Sequence, residues 1–394
     1  MEFVRDLFVN IGLWFSGWLA GLEFLPPWAV ELITDLGGVI ILVIIGLCSV
    51  LFLTLGERKV IGRIQDRPGP NRWGPFGIFQ PVADGIKMLT KEDIVPSGAD
   101  YWVHLLAPIA IIVPALLIYA VLPFGAGLRG VDLNIGILYI VALGSIGTIA
   151  ILMAGWSSNN KYALLGAFRV VAQLVSYEIP MVLSIVAVVL LSGSMSMVKI
   201  VEGQTVPYIV AMPLVFLVYL VAAFAELYRA PFDMIEADSE LVAGYFTEYS
   251  GMKFVMFFMA EYINLLAMSA IVTTLFLGGW RFFGLERLLP LLSPFIFFAK
   301  CGAVIFLFWW VRGTFPRIRI DHLLALAWKF LVPLALVNLM LVGLVDKLVE
   351  GALLTGVVML VANIVEAVIV LVILSLVGRK TRSKRLQRIT ARPG

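Results

Sequence analysis

Four ionisable side chains stand inside stretches that are otherwise long and apolar: Glu178, Glu261, Lys300 and Glu366. A charge at bilayer depth costs about 2.5–3.5 kcal/mol on insertion scales, so residues of this kind mark a pathway or a pair. Glu178 lies about nine residues and Glu261 about eight residues inside their stretches, each about 12–14 Å from one edge at 1.5 Å per residue. Equal depth permits a shared polar pocket, in which a carboxyl group exchanges a proton when a neighbouring charge changes. Lys300 enters from the opposite edge and sits beyond the two carboxylates. Glu366 is central in the last apolar stretch and has no obvious partner. The competing reading for each is a structural ion pair or a hydrogen-bonded helix contact.

Two polar segments stand over these groups. Residues 56–102 are rich in charge, glycine and proline, with Arg58, Lys59, Arg63, Arg67, Arg72, Lys87 and Lys91 among their bases. Long loops in compact proteins are functional or disordered. Disorder fits poorly, because Ile61, Ile64, Trp73, Phe76, Ile78 and Phe79 supply anchors and residues 78–90 read as a short amphipathic helix. Residues 226–250 invert the charge: Glu226, Asp233, Glu236, Asp238, Glu240 and Glu248 stand against the single base Arg229. An acidic cluster on a side where positive charge is the rule predicts pairing with the basic loop and carboxylates that share protons.

The elements that must position these residues follow from composition. Of 394 residues, 61% are hydrophobic and 14% charged, with a mean hydropathy of +1.01 and a net charge of +3. A soluble fold of this size needs far more charge, so the apolar residues face lipid or other helices. The chain reads as an all-α polytopic helix bundle with about nine spans, near 33–55, 103–123, 135–155, 171–192, 207–228, 253–277, 295–313, 323–345 and 352–377. Pro108, Pro114, Pro180, Pro213 and Pro333 fall inside them, which membrane helices tolerate. Residues 1–32 carry Trp14 and Trp18 at helical spacing and read as an interfacial segment, with a tenth span as the alternative. Counting lysines and arginines by loop puts 21 on one side and 6 on the other, so the long loop, the acidic loop and the basic tail face the cytoplasm. Cys48, Cys301, His104 and His322 are too scattered to ligate zinc, haem or an iron–sulfur cluster, so the chain is expected to carry no metal and no electrons itself.

Several motifs resemble one family. Glu57-Arg58-Lys59, Arg67-Pro68-Gly69-Pro70-Asn71, Gly74-Pro75 and Gln80-Pro81-Val82-Ala83-Asp84-Gly85 are similar to the first long loop of a complex I membrane component, the H subunit of bacteria and its mitochondrial counterpart, subunit 1. Ser176-Tyr177-Glu178, Arg229-Ala230-Pro231-Phe232-Asp233, Glu240-Leu241-Val242-Ala243-Gly244-Tyr245, Ala260-Glu261-Tyr262 and Pro316-Arg317 continue the likeness, which covers about residues 33–345. Asp238 stands where that family commonly has glutamate.

The resemblance implies a subunit of a proton-translocating NADH:quinone oxidoreductase in a bacterial inner membrane. Arg58, Arg67, Asp84, Lys87, Glu236 and Arg312 would line a quinone tunnel or its rim. Glu178, Glu226, Asp233, Glu236, Asp238, Glu240, Glu248 and Glu261 would form a charged path into the membrane, with Lys300 beyond it. The implied substrate is ubiquinone or menaquinone, and FMN and iron–sulfur clusters would reside in partner subunits only. The implied partners are the hydrophilic quinone-site subunits, neighbouring membrane pump subunits and lipids, with no nucleic acid. Residues 346–394 lie outside the likeness and form an extra helix and a basic tail for contact with another subunit or anionic lipid. Two alternatives stay open: a homologous subunit of a membrane-bound hydrogenase or other electron-input complex, and a self-sufficient ion or proton transporter.

Overall fold

The computed structural model describes residues 14, 16–18, 20–21, 26–234, 243–282, 292–349 and 351–390. The first helix, α1 (Pro27–Ile64), opens with Pro27 at its first position, where the missing N–H is harmless. It runs on past the expected end of its span, because nothing in Gly56–Ile64 breaks a helix; Gly56 instead lets the Trp309 ring approach. Glu57, Arg58 and Lys59 are therefore carried on a rigid helix and not in the loop where their polarity placed them. The amphipathic helix α2 (Gln80–Thr90) follows, then α3 (Tyr101–Leu117), which contains Pro108 and Pro114, and α4 (Gly136–Ser157).

Helix α5 (Lys161–Ser192) begins ten residues before the expected span, since 171 − 161 = 10. Asn160 caps it, its side-chain oxygen accepting from the Tyr162 N–H at 2.9 Å. After α6 (Met197–Gly203) the chain makes two short helices, α7 (Tyr208–Ala211) and α8 (Pro213–Glu226). The expected fifth span is thus broken at Met212–Pro213, where proline can start a helix but not continue one. The helix α9 (Gly251–Phe276) is unbroken, as is α10 (Ser293–Thr314).

The eighth expected span is composite. Helix α11 (Ile320–Leu326) passes through a π turn at Ala327–Leu331 into α12 (Val332–Leu348). Pro333 would clash with the carbonyl four residues before it, and the wider turn makes room. The final helix, α13 (Ala352–Thr390), continues well beyond the apolar stretch.

Among the described residues, eight helices, counting Ile320–Leu348 as one, are long and apolar enough to cross a membrane, and Pro213–Glu226 is shorter. The protein is a multi-pass membrane protein with an all-helical fold; among the described residues there is no strand beyond one isolated bridge, Gly125 with Leu128. Helix α5 is the hub, packing against α4, α8 and α12, while α9 packs against α3, α10 and α1. The shared core of these two groups holds Tyr119 and Tyr177 fully buried. Their hydroxyls donate to the carbonyls of Ile263 at 2.8 Å and Leu323 at 3.0 Å, which locks distant segments together. Of residues 1–32, Trp14 and Trp18 are exposed and helical, and residues 1–13 lie outside the described set.

Candidate functional site

Four charged side chains from four segments converge beneath the long loop. Glu57 projects from α1, Arg229 from the turn after α8, Glu261 from α9 and Arg312 from the last turn of α10. Both arginines pair with Glu57 through their Nη1 atoms. Arg229 Nε also lies 2.9 Å from Glu261 Oε1, and its guanidinium stands 4.8 Å from the centre of the Tyr262 ring. Arg229 and Glu57 are each only 2% exposed. Two cations and two anions leave the cluster neutral, which is how charges persist in a low-dielectric interior. Burial alone would lower the Arg229 pKa, but the carboxylates of Glu261 and Glu57 more than offset it and raise it.

The turn that delivers Arg229 is held from beneath. Gln173 of α5 donates to the carbonyls of Ala225 at 2.7 Å and Phe232 at 2.8 Å. Tyr228, immediately before Arg229, has φ 52. The Pro231 carbonyl accepts from the Ile318 N–H at 3.0 Å, tying this turn to the segment after α10.

Above the charged cluster the long loop folds back onto α1. Gly69 has φ +65, and a Cβ there would come within 3.1 Å of the Arg58 carbonyl; Gly77 has φ +77, and a Cβ would reach 2.5 Å from the Pro70 carbonyl. These glycines permit a backbone path that a side chain would block. The result is a cleft of about 630 Å³ lined by Glu57, Arg58, Arg67, Pro70, Tyr262 and Arg312. A second cavity, of about 370 Å³, runs between α1, α2 and α9 and is lined by apolar groups such as Leu51, Met88, Phe258 and Met259. Arg58 and Tyr262 line both, so the apolar groove and the polar cleft adjoin at these two side chains.

Asp84 of α2 lines the groove and accepts from Arg58 Nη1 at 2.6 Å and from Gln80 at 3.3 Å. Burial pushes its carboxyl pKa up, but the Arg58 hydrogen bond and charge, with Gln80 and Lys87, bring it below the usual value. Lys87 is exposed on the same helix, and Arg67 donates to Gln65 at 2.8 Å on the cleft wall.

A third, smaller cavity of about 60 Å³ lies within the bundle, lined by Glu178, Glu226, Tyr228 and Asn264 among others. Ser145 of α4 donates to Glu178 at 2.5 Å. Glu226 ends α8, three residues before Arg229, so this cavity abuts the charged cluster through the Tyr228–Arg229 turn.

The structure thus brings together Arg58, Arg67, Asp84 and Arg312 around two adjoining cavities, Glu178 and Glu226 around the interior cavity, and Glu261 against Arg229. Asp233 is half-buried in the turn after Pro231. Glu248 stands apart from this group, accepting from Asn160 at 2.7 Å. Lys300 is at the far end of the bundle, donating to the carbonyls of Leu277 at 2.6 Å, Gly279 at 2.9 Å and Arg281 at 2.6 Å. It lies twelve residues from Arg312 along α10, about 18 Å at 1.5 Å per residue. Glu366 is buried in α13. Glu236, Asp238 and Glu240 lie outside the described residues.

Sequence reasoning did not name Glu57 or Arg229 as site residues. Each carried a signal as a charge of the minority sign: Glu57 leads a run of bases, and Arg229 is the sole base among six acids.

Known proteins share this chain's sequence over most of its length. It is 58% identical over 294 residues to the NADH-quinone oxidoreductase H subunit of Dehalococcoides mccartyi strain CBDB1, covering 74% of this chain and 81% of that protein. It is 47% identical over 330 residues to the first H subunit of NADH-quinone oxidoreductase in Geobacter metallireducens, covering 81% of this chain and 98% of that protein. Identity to the corresponding H subunit of Geobacillus kaustophilus is 48% over 327 residues, covering 82% and 97% respectively. With the NADH dehydrogenase family model matching residues 37–343, the chain belongs to the NADH dehydrogenase family.

Proposed function

We infer that this chain is the H-type membrane subunit of a proton-translocating NADH:quinone oxidoreductase, admitting a quinone between α1, α2 and α9. The observation that carries this reading is the junction of an apolar groove with a polar cleft at Arg58 and Tyr262. An amphiphile with an apolar tail and a redox-active polar head needs that sequence of surfaces. Its tail would lie along Leu51, Met88, Phe258 and Met259. Its head would reach Arg58, Arg67 and Arg312, with Asp84 and Lys87 at the rim. Arg312 is pinned by Glu57, so a charge arriving at the head group is felt by Arg229 and Glu261. Glu226 and Glu178 extend the same set of ionisable groups into the bundle, and proton movement among them would bias neighbouring pump subunits. Lys300 stands beyond them, and Asp233 and Glu248 supply acids at the loop.

Electrons would come from flavin and iron–sulfur centres in partner subunits, with hydrophilic quinone-site subunits seated on the long loop. The loop and tail would face the cytoplasm of a bacterial inner membrane, and residues 346–394 would contact lipid or another subunit.

The test narrows the groove. Met259→Trp in the assembled enzyme should raise the quinone KM while leaving NADH oxidation by ferricyanide, which needs no quinone, at the wild-type rate. An unchanged quinone KM in an assembled Met259→Trp enzyme overturns the groove assignment.

A further inference from the structure

Helix α13 lies beyond residues 37–343, the part of the chain that the family model matches, and one stripe of it is polar. Thr355, Met359, Asn363 and Glu366 are all buried, and their spacings of four, four and three residues put them on one helix face. Val357, Val361, Ile364, Val365, Val368 and Ile369 on the remaining faces are each more than half exposed. The helix thus turns its polar side chains inward, against α7, α8 and α12. Asn363 meets the break before α8: its side-chain oxygen accepts from the Leu214 N–H at 3.3 Å, and its nitrogen donates to the Met359 carbonyl at 3.2 Å.

Glu366 follows one turn later on the same face. It is 6% exposed, and neither carboxyl oxygen has a hydrogen-bond partner among the described residues. Buried polar groups nearly always have a partner, so this one calls for an explanation. A cation does not supply it. Helix α7 carries no charged residue, α8 carries only Glu226 at the end away from the break, and α12 carries only Asp346 and Lys347 in its last turn. The other titratable groups of α7 and α8 are the phenols of Tyr208 and Tyr219, which add no positive charge. On α13 itself Glu366 stands fourteen residues from the first residue, Ala352, and thirteen before the next charge, Arg379. Each interval is about 20 Å of helix at 1.5 Å per residue. An isolated carboxylate does not persist in such surroundings, whereas the neutral acid does.

We propose that Glu366 is a proton-binding site on the packed face of α13, a carboxylic acid open to covalent capture by a membrane-soluble carbodiimide. In that reaction the acid proton passes to one carbodiimide nitrogen while the carboxyl oxygen bonds to the central carbon, and one C=N bond becomes a single bond. Where water is excluded, the acyl group then migrates from that oxygen to nitrogen and gives an N-acylurea. Nothing leaves and no electron is transferred, so the adduct keeps the whole mass of the reagent. In a wet site water cleaves the intermediate, the reagent departs as a urea and the carboxyl group is regenerated. Glu366 is separate from the Glu178–Glu226 cavity, whose lining does not include it.

The test uses the purified, assembled enzyme in lipid nanodiscs, treated with dicyclohexylcarbodiimide and, in parallel, with a water-soluble cationic carbodiimide. Mass spectrometry of the α13 peptide should show Glu366 carrying the whole reagent mass after the first treatment and unmodified after the second. Exposed Glu202 is the wet control and should keep no adduct. A second measurement needs no reagent access: the infrared difference between wild type and Glu366→Gln should contain the carbonyl band of a carboxylic acid. Glu366→Gln, neutral as the acid is, should also assemble on native gels at wild-type yield. Absence of the adduct at Glu366, equal capture by the water-soluble reagent, or carboxylate bands in the infrared difference each overturn the proposal.

Discussion

Arg229, the one base of the acidic loop, is drawn into the bundle until its Nε lies 2.9 Å from Glu261 on α9. The same guanidinium pairs with Glu57 on α1. One side chain therefore connects the wall of the polar cleft to the carboxylates of the interior. Such a link transmits charge only if it cannot dissolve into water, and burial ensures that.

Removing Arg229 should be severe. Truncating one partner of a buried pair leaves an uncompensated charge and costs about 3–5 kcal/mol. Arg229→Met should lower the thermal stability of the purified assembly and its yield on native gels. The double variant Glu57→Gln with Arg229→Met should recover part of the loss, because fewer charges are stranded. A single variant as stable as wild type would show that the cluster is hydrated and weak.

The interior carboxylates should separate pumping from electron flow. Glu178→Gln and Glu261→Gln retain shape and remove the titrating proton. Proton translocation per electron, measured in vesicles together with NADH consumption, should fall in both variants. Normal translocation at normal flux in both would sink the interior path.

The Arg58–Asp84 pair predicts an acid-sensitive α2. The Asp84 pKa is lower in the folded chain than in the unfolded one, so the folded state binds its proton less readily. Its contribution to stability is complete above the ordinary aspartate value of about 3.9 and is lost as pH falls through the lowered value. Both side chains are partly exposed, 49% and 31%, which limits the pair to about 1 kcal/mol or less. The protection factor against hydrogen exchange over residues 80–90, corrected for the intrinsic pH dependence of exchange, should be flat from neutrality to pH 5 and fall only in stronger acid. Asp84→Asn should show the lowered protection already at neutrality and converge with the wild type in acid.

The loop over the cleft should be intolerant at Gly77. A methyl group there meets the Pro70 carbonyl at 2.5 Å, and φ is +77. Gly77→Ala should destabilise the loop by more than about 1 kcal/mol. It should also raise the quinone KM more than it lowers the rate of ferricyanide reduction. Gly343 of α12, whose added Cβ meets nothing within 4 Å and which lines neither the cleft nor the groove, is the control and should accept alanine silently.

How much was legible in the sequence depended on what each residue answers to. Hydropathy located the apolar part of the long helices, because burial of backbone in lipid leaves few alternatives to helix, but α1, α5 and α13 run on well past it into polar sequence. Breaks were less legible: Pro108, Pro114 and Pro180 lie within continuous helices, whereas Pro213 begins a helix and Pro333 follows a π turn. Proline marks where a backbone bond is lost, but neighbouring helices decide whether the helix survives. At the Pro213 break the Leu214 N–H finds Asn363 of α13 at 3.3 Å, a partner 149 residues away that no local rule names.

The sequence by itself determined the class of molecule and the inventory of its chemistry. Its apolar stretches require a helical membrane bundle, and its basic loop, acidic loop and embedded carboxylates announce that charge is kept where it is costly. Only the tertiary structure decided which charges share a site. It placed Glu57 on a helix and not in a loop, turned Arg229 inward to meet it, left Glu248 beside Asn160, and set Lys300 against three carbonyls at the far end. The physical reason is that the cost of burying a charge is a local property readable from its neighbours in sequence. The partner that offsets the cost is set by which helices pack together.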